Sequence, residues 1–202
     1  MADRDELRRL LHERNEHPEL LTEIDRAIRD RFTRTLAVLV LDMSGFSRLT
    51  HRYGIVHFLA MIQRMHDLVL PVVEAPRYAG RLLKLEADNV YAVFPDAPLA
   101  LDAALEVQRR LAAANVVLPA DWDLHVCIGI GYGDVLAVGE HDVFGHEMNV
   151  ASKLGEDIGC GGEILLTEAA HARLPVGERH AERMETVVSN LTIAYYRIET
   201  AG

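Results

Sequence analysis

Two aspartates stand where predicted strands end, at positions that suit metal chemistry. Asp42 directly follows the apolar run 36–41, and Asp88 lies in the turn of the predicted hairpin 81–94. The continuous apolar run before Asp42 is typical of a strand that is buried on both faces. If this strand lies beside the hairpin, the two carboxylates meet at one edge of the sheet. Their oxygens would then suit one or two hard divalent cations.

Each aspartate also has an ordinary structural explanation. Asp is a frequent helix N-cap, and Asp42 precedes a predicted helix that begins near Gly45. Asp88 and Asn89 are typical of a hairpin turn, because both residue types tolerate the left-handed backbone conformation. Neither residue alone therefore distinguishes a metal site from local structure.

The elements that must position these residues follow from hydrophobic periodicity. Residues 4–32 predict two amphipathic helices whose apolar stripe packs on the rest of the chain. The later order of strands and helices favours an α+β fold with a mixed central sheet and flanking helices. The predicted elements are a strand at 36–41, helices at 45–53 and 55–76, a hairpin at 81–94, a helix at 98–114, a hairpin at 123–139 that turns at 131–134, a helix at 146–158, a strand at 163–166, a helix from 167, and strands at 182–188 and 192–199.

Composition limits the classes of protein to consider. The chain has 202 residues, half of them apolar, and a formal net charge of -10. This charge argues against sequence-independent nucleic-acid binding, which needs many Lys and Arg to displace counterions. Cys127 and Cys160 have no metal-ligand spacing and are predicted to be reduced and to have packing roles. The charged N-terminus and the lack of an apolar run of about 18 residues predict a cytoplasmic protein without a membrane segment.

Four sequence blocks stand out between residues 41 and 154. They are Leu41-Asp42-Met43-Ser44-Gly45-Phe46-Ser47, Lys84-x-x-x-Asp88 with Ala92-Val93-Phe94, Gly129-Ile130-Gly131-x-Gly133-x-Val135, and Asp142-Val143-Phe144-Gly145-x-x-x-Asn149-Val150-Ala151-Ser152-Lys153-Leu154. Together these blocks resemble the catalytic domain of class III adenylyl and guanylyl cyclases. This resemblance covers about residues 34–200 and implies a ferredoxin-like catalytic domain at 34–202, preceded by a helical extension at 1–33. It also implies a head-to-tail homodimer with two nucleotide sites at the subunit interface.

The resemblance implies a role for each matched residue in converting ATP to 3′,5′-cyclic AMP and pyrophosphate. Two residues match the metal-binding aspartates, which would hold Mg²⁺ or Mn²⁺, and a glycine turn would hold phosphate oxygens with its backbone amides. Two more match the pair that selects adenine, and a further two match residues that act on the ribose and on the transferring phosphate. The metal-binding pair is Asp42 and Asp88, and the phosphate-binding turn comprises Met43, Ser44, Gly45 and Phe46. The adenine-selecting pair is Lys84 and Asp142, whereas Asn149 would act on the ribose and Lys153 on the phosphate.

Several positions depart from the pattern of the cyclases that the chain resembles. Lys153 stands where arginine is usual, Cys127 stands where many members have a phosphate-contacting arginine, and Ala87 replaces a glycine. The segment 188–192 has no lysine to match one that often meets the phosphates. Three altered phosphate contacts leave open a second interpretation, a weak or inactive cyclase-homology module that binds nucleotide and signals by dimerising. Another nucleotidyl transfer on the same core is a third.

Overall fold

The computed structural model describes residues 3–119, 122–177, 180–188 and 191–199, apart from the side chains of 46–49 and 191. A 3₁₀ turn, Pro18–Leu20, joins the first two helices, and a π-helix, Lys153–Ile158, follows the sixth. The α-helices are α1 (Arg4–Glu16), α2 (Leu21–Phe32), α3 (Phe46–Tyr53), α4 (Ile55–Val73), α5 (Ala97–Asn115), α6 (His146–Ser152) and α7 (Glu168–His171). The strands are β1 (Thr33–Met43), β2 (Arg81–Glu86), β3 (Asn89–Phe94), β4 (Val126–Val138), β5 (Asp142–Phe144), β6 (Ile164–Thr167), β7 (Ala181–Val188) and β8 (Leu191–Ile198).

The strands form one sheet in the order β2-β3-β1-β4-β6-β8-β7, with β5 paired to β4 beside this path. Among the described strands, β4 pairs with β6 in parallel and the other pairs are antiparallel. Helices pack on both faces of the sheet. The predicted α+β fold with a mixed sheet and flanking helices is therefore confirmed.

Alternate residues of β1 face opposite layers, as the pleat of a strand requires. Leu39 and Leu41 belong to the main core under α4 and α5. Val38 and Val40 face the other way, into a smaller core that contains Ala151 of α6. Asp42 continues this second series, so its side chain lies on the α6 side of the sheet.

Glycines allow α6 and the π-helix to lie directly on β1 and β4. A Cβ atom added to Gly129 would lie 2.1 Å from the carbonyl oxygen of Ala151, and one on Gly155 would lie 2.7 Å from that of Val40. The glycine-rich segment 129–133 therefore serves close helix–sheet packing.

The predicted hairpin at 123–139 is wrong. The segment contains one 13-residue strand, β4, which runs through Gly131 and Gly133 without reversing. The chain turns instead at Gly139, whose φ of 61° lies in the left-handed region, and then forms β5. The glycines at 131 and 133 suggest a turn, but in the structure they make room for Glu147 of α6.

The N-terminal helices pack on the sheet. Leu7 and Leu10 of α1 join Ile28 and Phe32 of α2 in an apolar cluster with Val138 of β4. The local packing that their apolar stripe predicted is thus observed, and α2 passes into β1 without a linker.

One described helix, α4, is long and apolar enough to cross a membrane when judged by length and composition alone. In the structure, Phe58, Met65 and Val69 on its inner face are buried in the main core. This is the usual environment of an amphipathic core helix in a globular domain.

Candidate active site

The β1–β3 register brings the two candidate metal-binding aspartates together. Leu41 of β1 pairs with Val90 of β3, and the two strands are antiparallel. Asp42, the next residue of β1, therefore lies beside Asn89, which directly follows Asp88. Asp42 is half-buried, and this burial, together with the charges of Asp88 and Glu156, raises the pKa of its carboxyl to about 7. The site therefore carries an excess of negative charge that a bound cation would offset.

A hard divalent cation fits the groups that meet here, since they are oxygen donors. Asn89 adds an amide oxygen that is buried without a hydrogen-bond partner. Within the described part of the chain, no three His, Cys, Asp or Glu side chains are arranged to hold an ion together. A cation on Asp42 and Asp88 would therefore take its remaining ligands from other oxygen atoms, such as the Asn89 amide or water, and Mg²⁺ and Mn²⁺ both accept such ligands.

The turn that presents Asp88 contains a strained residue. Ala87 has a φ of 52°, in the left-handed region where a non-glycine residue costs roughly 1–2 kcal/mol. Glycine has no such cost, which explains its place in the family pattern. We therefore expect Ala87→Gly to increase the free energy of unfolding by about 1 kcal/mol, after allowance for the greater entropy of glycine in the unfolded chain.

Urea denaturation would measure this effect, and two matched variants would bracket it. Ala79→Gly removes the steric cost of a second positive φ, of 50°, and should also stabilise the protein. Ala60→Gly lies on the exposed face of α4 and should destabilise it by about 1 kcal/mol. A lower unfolding free energy for Ala87→Gly would contradict the assignment of strain.

The turn after β1 holds the residues expected to contact phosphate. Met43 is buried at the end of the strand, and the amide of Ser44 donates to the carbonyl of His125 at 2.8 Å. Gly45 follows with a φ of 98° and starts α3 at Phe46, whose side chain lies outside the described part. A phosphate contact from Ser44 would therefore use its hydroxyl or require this backbone bond to open.

The two candidate base-selecting residues lie on adjoining segments. The ring of His141, next to Asp142, lies 3.0 Å from the carbonyl of Leu83, next to Lys84. Each already has a charged partner: the Lys84 ammonium is 2.5 Å from Glu86, and the Asp142 carboxylate is 3.3 Å from the guanidinium of Arg4. A purine that binds Asp142 must share this carboxylate with the N-terminal helix or displace Arg4.

Asn149 and Lys153 line one cavity of about 520 Å³, which is also bordered by β6, α7 and β8. Asn149 lies on α6, and Lys153 begins the π-helix, with its ammonium 4.0 Å from Asp157. Neither Asp42 nor Asp88 lines this cavity. The structure thus brings the candidate residues together as separate groups, among them the two candidate metal-binding aspartates and the pair Asn149 and Lys153.

One polar residue that holds α6 in place beside Asn149 was not predicted from the sequence. Glu147 accepts hydrogen bonds from the amide of Tyr132 at 3.0 Å and from the hydroxyl of Thr167 at 2.7 Å. These bonds tie α6 to β4 and β6, two residues before Asn149. Its sequence signal is weak, because Glu147 stands in the first turn of a helix, where acidic residues are common.

The two cysteines have different environments. Cys127 is 1% exposed and packs with Leu154, Leu165 and Ile193, and this burial raises the pKa of its thiol to about 12. Its predicted packing role is confirmed. Cys160 is exposed, so the same prediction is wrong for it. The physical reason is its place in a glycine-flanked loop before β6, outside the core.

Solved structures that are similar to this chain include nucleotidyl cyclases. An adenylate/guanylate cyclase/hydrolase from Silicibacter pomeroyi aligns with a TM-score of 0.69 and 26% identity over 84% of this chain and 98% of that chain. The guanylyl cyclase Cya2 gives 0.72 and 17% over 84% and 94%, and the adenylyl cyclase CyaB from P. aeruginosa gives 0.68 and 18% over 84% and 96%. The chain therefore has the fold of class III adenylate/guanylate cyclase catalytic domains, as its sequence blocks indicated.

Curated relatives are longer proteins. The chain is 30% identical over 138 residues to the Rhizobium meliloti (strain 1021) protein named "Putative adenylate cyclase 3", and 26% identical over 172 residues to the serine/threonine-protein kinase pkn2 of Myxococcus xanthus. These matches cover 68% and 84% of this chain but 23% and 20% of the relatives, so the chain spans about a fifth of their length. No protein-family model matches the chain.

Proposed function

We propose that the chain is an adenylate cyclase that converts ATP to 3′,5′-cyclic AMP and pyrophosphate as a head-to-tail homodimer with Mg²⁺ or Mn²⁺. The observation that supports this proposal is the division of the candidate site within one chain. Asp42 and Asp88 meet at the end of β1, whereas Asn149 and Lys153 line a cavity that neither aspartate borders. One nucleotide must contact both groups, and two antiparallel copies would let each chain supply what the other lacks.

In this proposal the chain orients ATP for attack of its 3′-oxygen on the α-phosphorus. That attack breaks the bond from the α-phosphorus to the bridging oxygen and releases pyrophosphate. Cations held by Asp42 and Asp88 would lower the pKa of the 3′-hydroxyl and offset the charge of the leaving group. Asn149 of the other chain would orient the ribose, and its Lys153 would offset charge on the α-phosphate. Lysine supplies a mobile point charge rather than the rigid fork of arginine, so we expect slow turnover.

The organisation around this site is also part of the proposal. We take residues 1–33 as a helical extension and 34–202 as the catalytic domain, of which 200–202 lie outside the described residues. We also place the protein in the cytoplasm. This placement is based on the sequence, in which neither Cys127 nor Cys160 has a disulfide motif.

The direct test is incubation of the purified protein with ATP and Mn²⁺, with cyclic AMP measured by liquid chromatography. Product that exceeds a metal-free control and disappears in Asp88→Ala would support the enzyme. A specific observation favours one rival, the non-catalytic module: Lys153 is near Asp157, and the position that often carries a second cation holds the buried Cys127. Tight ATP binding without product would favour that module.

Base selection gives a second prediction, which concerns Lys84 and Asp142. Adenine offers an amino donor to a carboxylate and a ring-nitrogen acceptor to an ammonium, whereas the carbonyl and ring N–H of guanine reverse this pattern. Each mismatched buried group costs about 1–3 kcal/mol, so we expect kcat/KM to favour ATP over GTP by at least about tenfold. The double variant Lys84→Glu/Asp142→Cys, which carries the guanylyl pattern, should reduce or invert this ratio.

Cyclic AMP and cyclic GMP would be measured from both nucleotides under identical conditions. Glu140→Gln is a suitable control, because it removes an exposed charge two residues before Asp142. Equal use of ATP and GTP by the unmodified protein would contradict the assignment of Lys84 and Asp142.

A further inference from the structure

A third carboxylate lies beside the two candidate metal-binding aspartates. Glu156 belongs to the π-helix and accepts a hydrogen bond from the hydroxyl of Tyr91 at 3.0 Å. Its charge acts on Asp42 in the same sense as that of Asp88. π-Helical turns are uncommon and frequently occur at functional sites. This one begins at Lys153, directly after the helix that carries Asn149.

Tyr91 fixes the position of this carboxylate. Its side chain is only 8% exposed and packs in the smaller core with Val40, its neighbour on β1. The hydroxyl also receives the amide of Asn89 at 3.4 Å, and the ammonium of Lys84 lies 4.3 Å from the ring centre. A buried ring cannot follow Glu156 into solvent, so the hydroxyl holds this exposed side chain against the sheet.

Electrostatics indicates what the held carboxylate could do. In the metal-free protein Glu156 repels Asp42, which is unfavourable for folding. It would also repel the phosphates of a nucleotide, but it would attract a divalent cation. The side chain does not complete a three-residue ligand group with the aspartates in the described structure. Its effect would therefore come from charge at longer range.

We propose that Tyr91 and Glu156 are positioning residues of the metal-binding end of the site. Tyr91 holds the Glu156 carboxylate where its charge strengthens the binding of divalent cations to Asp42 and Asp88. This inference rests on the proposed function, because it assumes that these two aspartates hold cations.

The test is Mn²⁺ binding by the full chain without nucleotide, followed by the electron paramagnetic resonance of free Mn²⁺ and by melting temperature. Glu156→Gln keeps an acceptor for Tyr91 but removes the charge, and we expect it to weaken Mn²⁺ affinity about threefold to tenfold. Tyr91→Phe keeps the buried ring and should weaken affinity by about twofold or more. Adding Tyr91→Phe to Glu156→Gln should have little further effect, because both changes act through one carboxylate.

Two further readouts separate this role from a structural one. Without metal, Glu156→Gln should melt at a higher temperature than the unmodified protein, since it removes repulsion, whereas loss of a purely structural contact would lower the melting temperature. Glu74→Gln, an exposed charge change at the end of α4, should leave Mn²⁺ affinity unchanged.

The outcomes also separate this inference from the proposed function. Unchanged Mn²⁺ affinity in Glu156→Gln, together with lost affinity in Asp42→Asn, would overturn the role of Glu156 and leave the metal site intact. Unchanged affinity in both Asp42→Asn and Asp88→Asn would overturn the proposed metal site of the cyclase, and with it the role of Glu156.

Discussion

An Asp42→Ala protein and an Asn149→Ala protein should each be inactive alone and should regain cyclic AMP synthesis when mixed. Loss of a metal ligand removes several kcal/mol of transition-state stabilisation, so Asp42→Ala should reduce turnover by about a thousandfold or more. In a head-to-tail heterodimer, one site receives both substitutions and the other receives neither. Random exchange of subunits makes half of the dimers mixed, and each mixed dimer has one intact site of two. We therefore expect about a quarter of the original activity.

Differently tagged chains, co-expressed and purified through both tags, would isolate the mixed dimer, which should show about half of the original activity. A chain carrying both Asp42→Ala and Asn149→Ala is the matched control. Paired with an unmodified chain it leaves one defect in each site, and such a dimer should be inactive. Failure of the single variants to rescue each other, with dimers demonstrated by light scattering, would contradict the shared site.

The parts of the fold that could be predicted from sequence depend on local patterns. The continuous apolar run 36–41 marked β1, and the turn residues at Asp88 and Asn89 marked the hairpin beside it. Both signals arise within a few residues, where side-chain period and turn chemistry determine the structure. The same local reasoning placed Asp42 at a strand end, before its neighbours in space were known.

The errors arose where tertiary packing determined local structure. The glycines of β4 suggested a turn, but Gly129 lies against Ala151 and lets α6 approach the sheet. The π-helix has no sequence period of its own, and Gly155 within it packs on the backbone of Val40. Contacts between such distant segments cannot be inferred from one segment alone.

Some residues of the candidate site could be predicted from the sequence, and others could not. Residue type and position made Asp42 and Asp88 candidates, but a helix N-cap and a hairpin turn explain them equally well, so their assignment depended on the resemblance of the sequence blocks. Tyr91 looked like an ordinary strand residue, and its bond to Glu156 spans 65 positions of sequence. Arg4 and Asp142 are even farther apart in the sequence, and their ion pair joins the N-terminal helix to the candidate base-selecting residue.

Replacing Cys127 with arginine tests whether that departure from the family pattern accounts for a slow enzyme. Cys127 is paired across the sheet with Asp42, yet its sulfur faces Leu154 and the backbone of Gly159. A Cβ atom on Gly159 would lie 1.8 Å from this sulfur, so the space beside it is already filled. An arginine side chain would have to displace the π-helix to reach a nucleotide.

We therefore expect Cys127→Arg to lower the free energy of unfolding by about 3 kcal/mol or more, through overpacking and burial of a charge, and to bring no gain in cyclic AMP synthesis. Cys127→Ala, which only removes the sulfur, should cost about 1 kcal/mol and retain activity. Urea denaturation and initial rates would measure both effects. Labelling with a thiol reagent provides a fold check, because Cys160 should react in the native protein and Cys127 only after unfolding.

A Cys127→Arg protein that is as stable as the original and turns over faster would contradict this expectation. It would mean that the π-helix can move aside and that arginine at this position reaches the phosphates. If the expected result is obtained, Lys153 rather than residue 127 would limit the turnover number. This side chain lines the Asn149 cavity and is 31% exposed, so it can exchange its distant partner Asp157 for a phosphate without rebuilding the core.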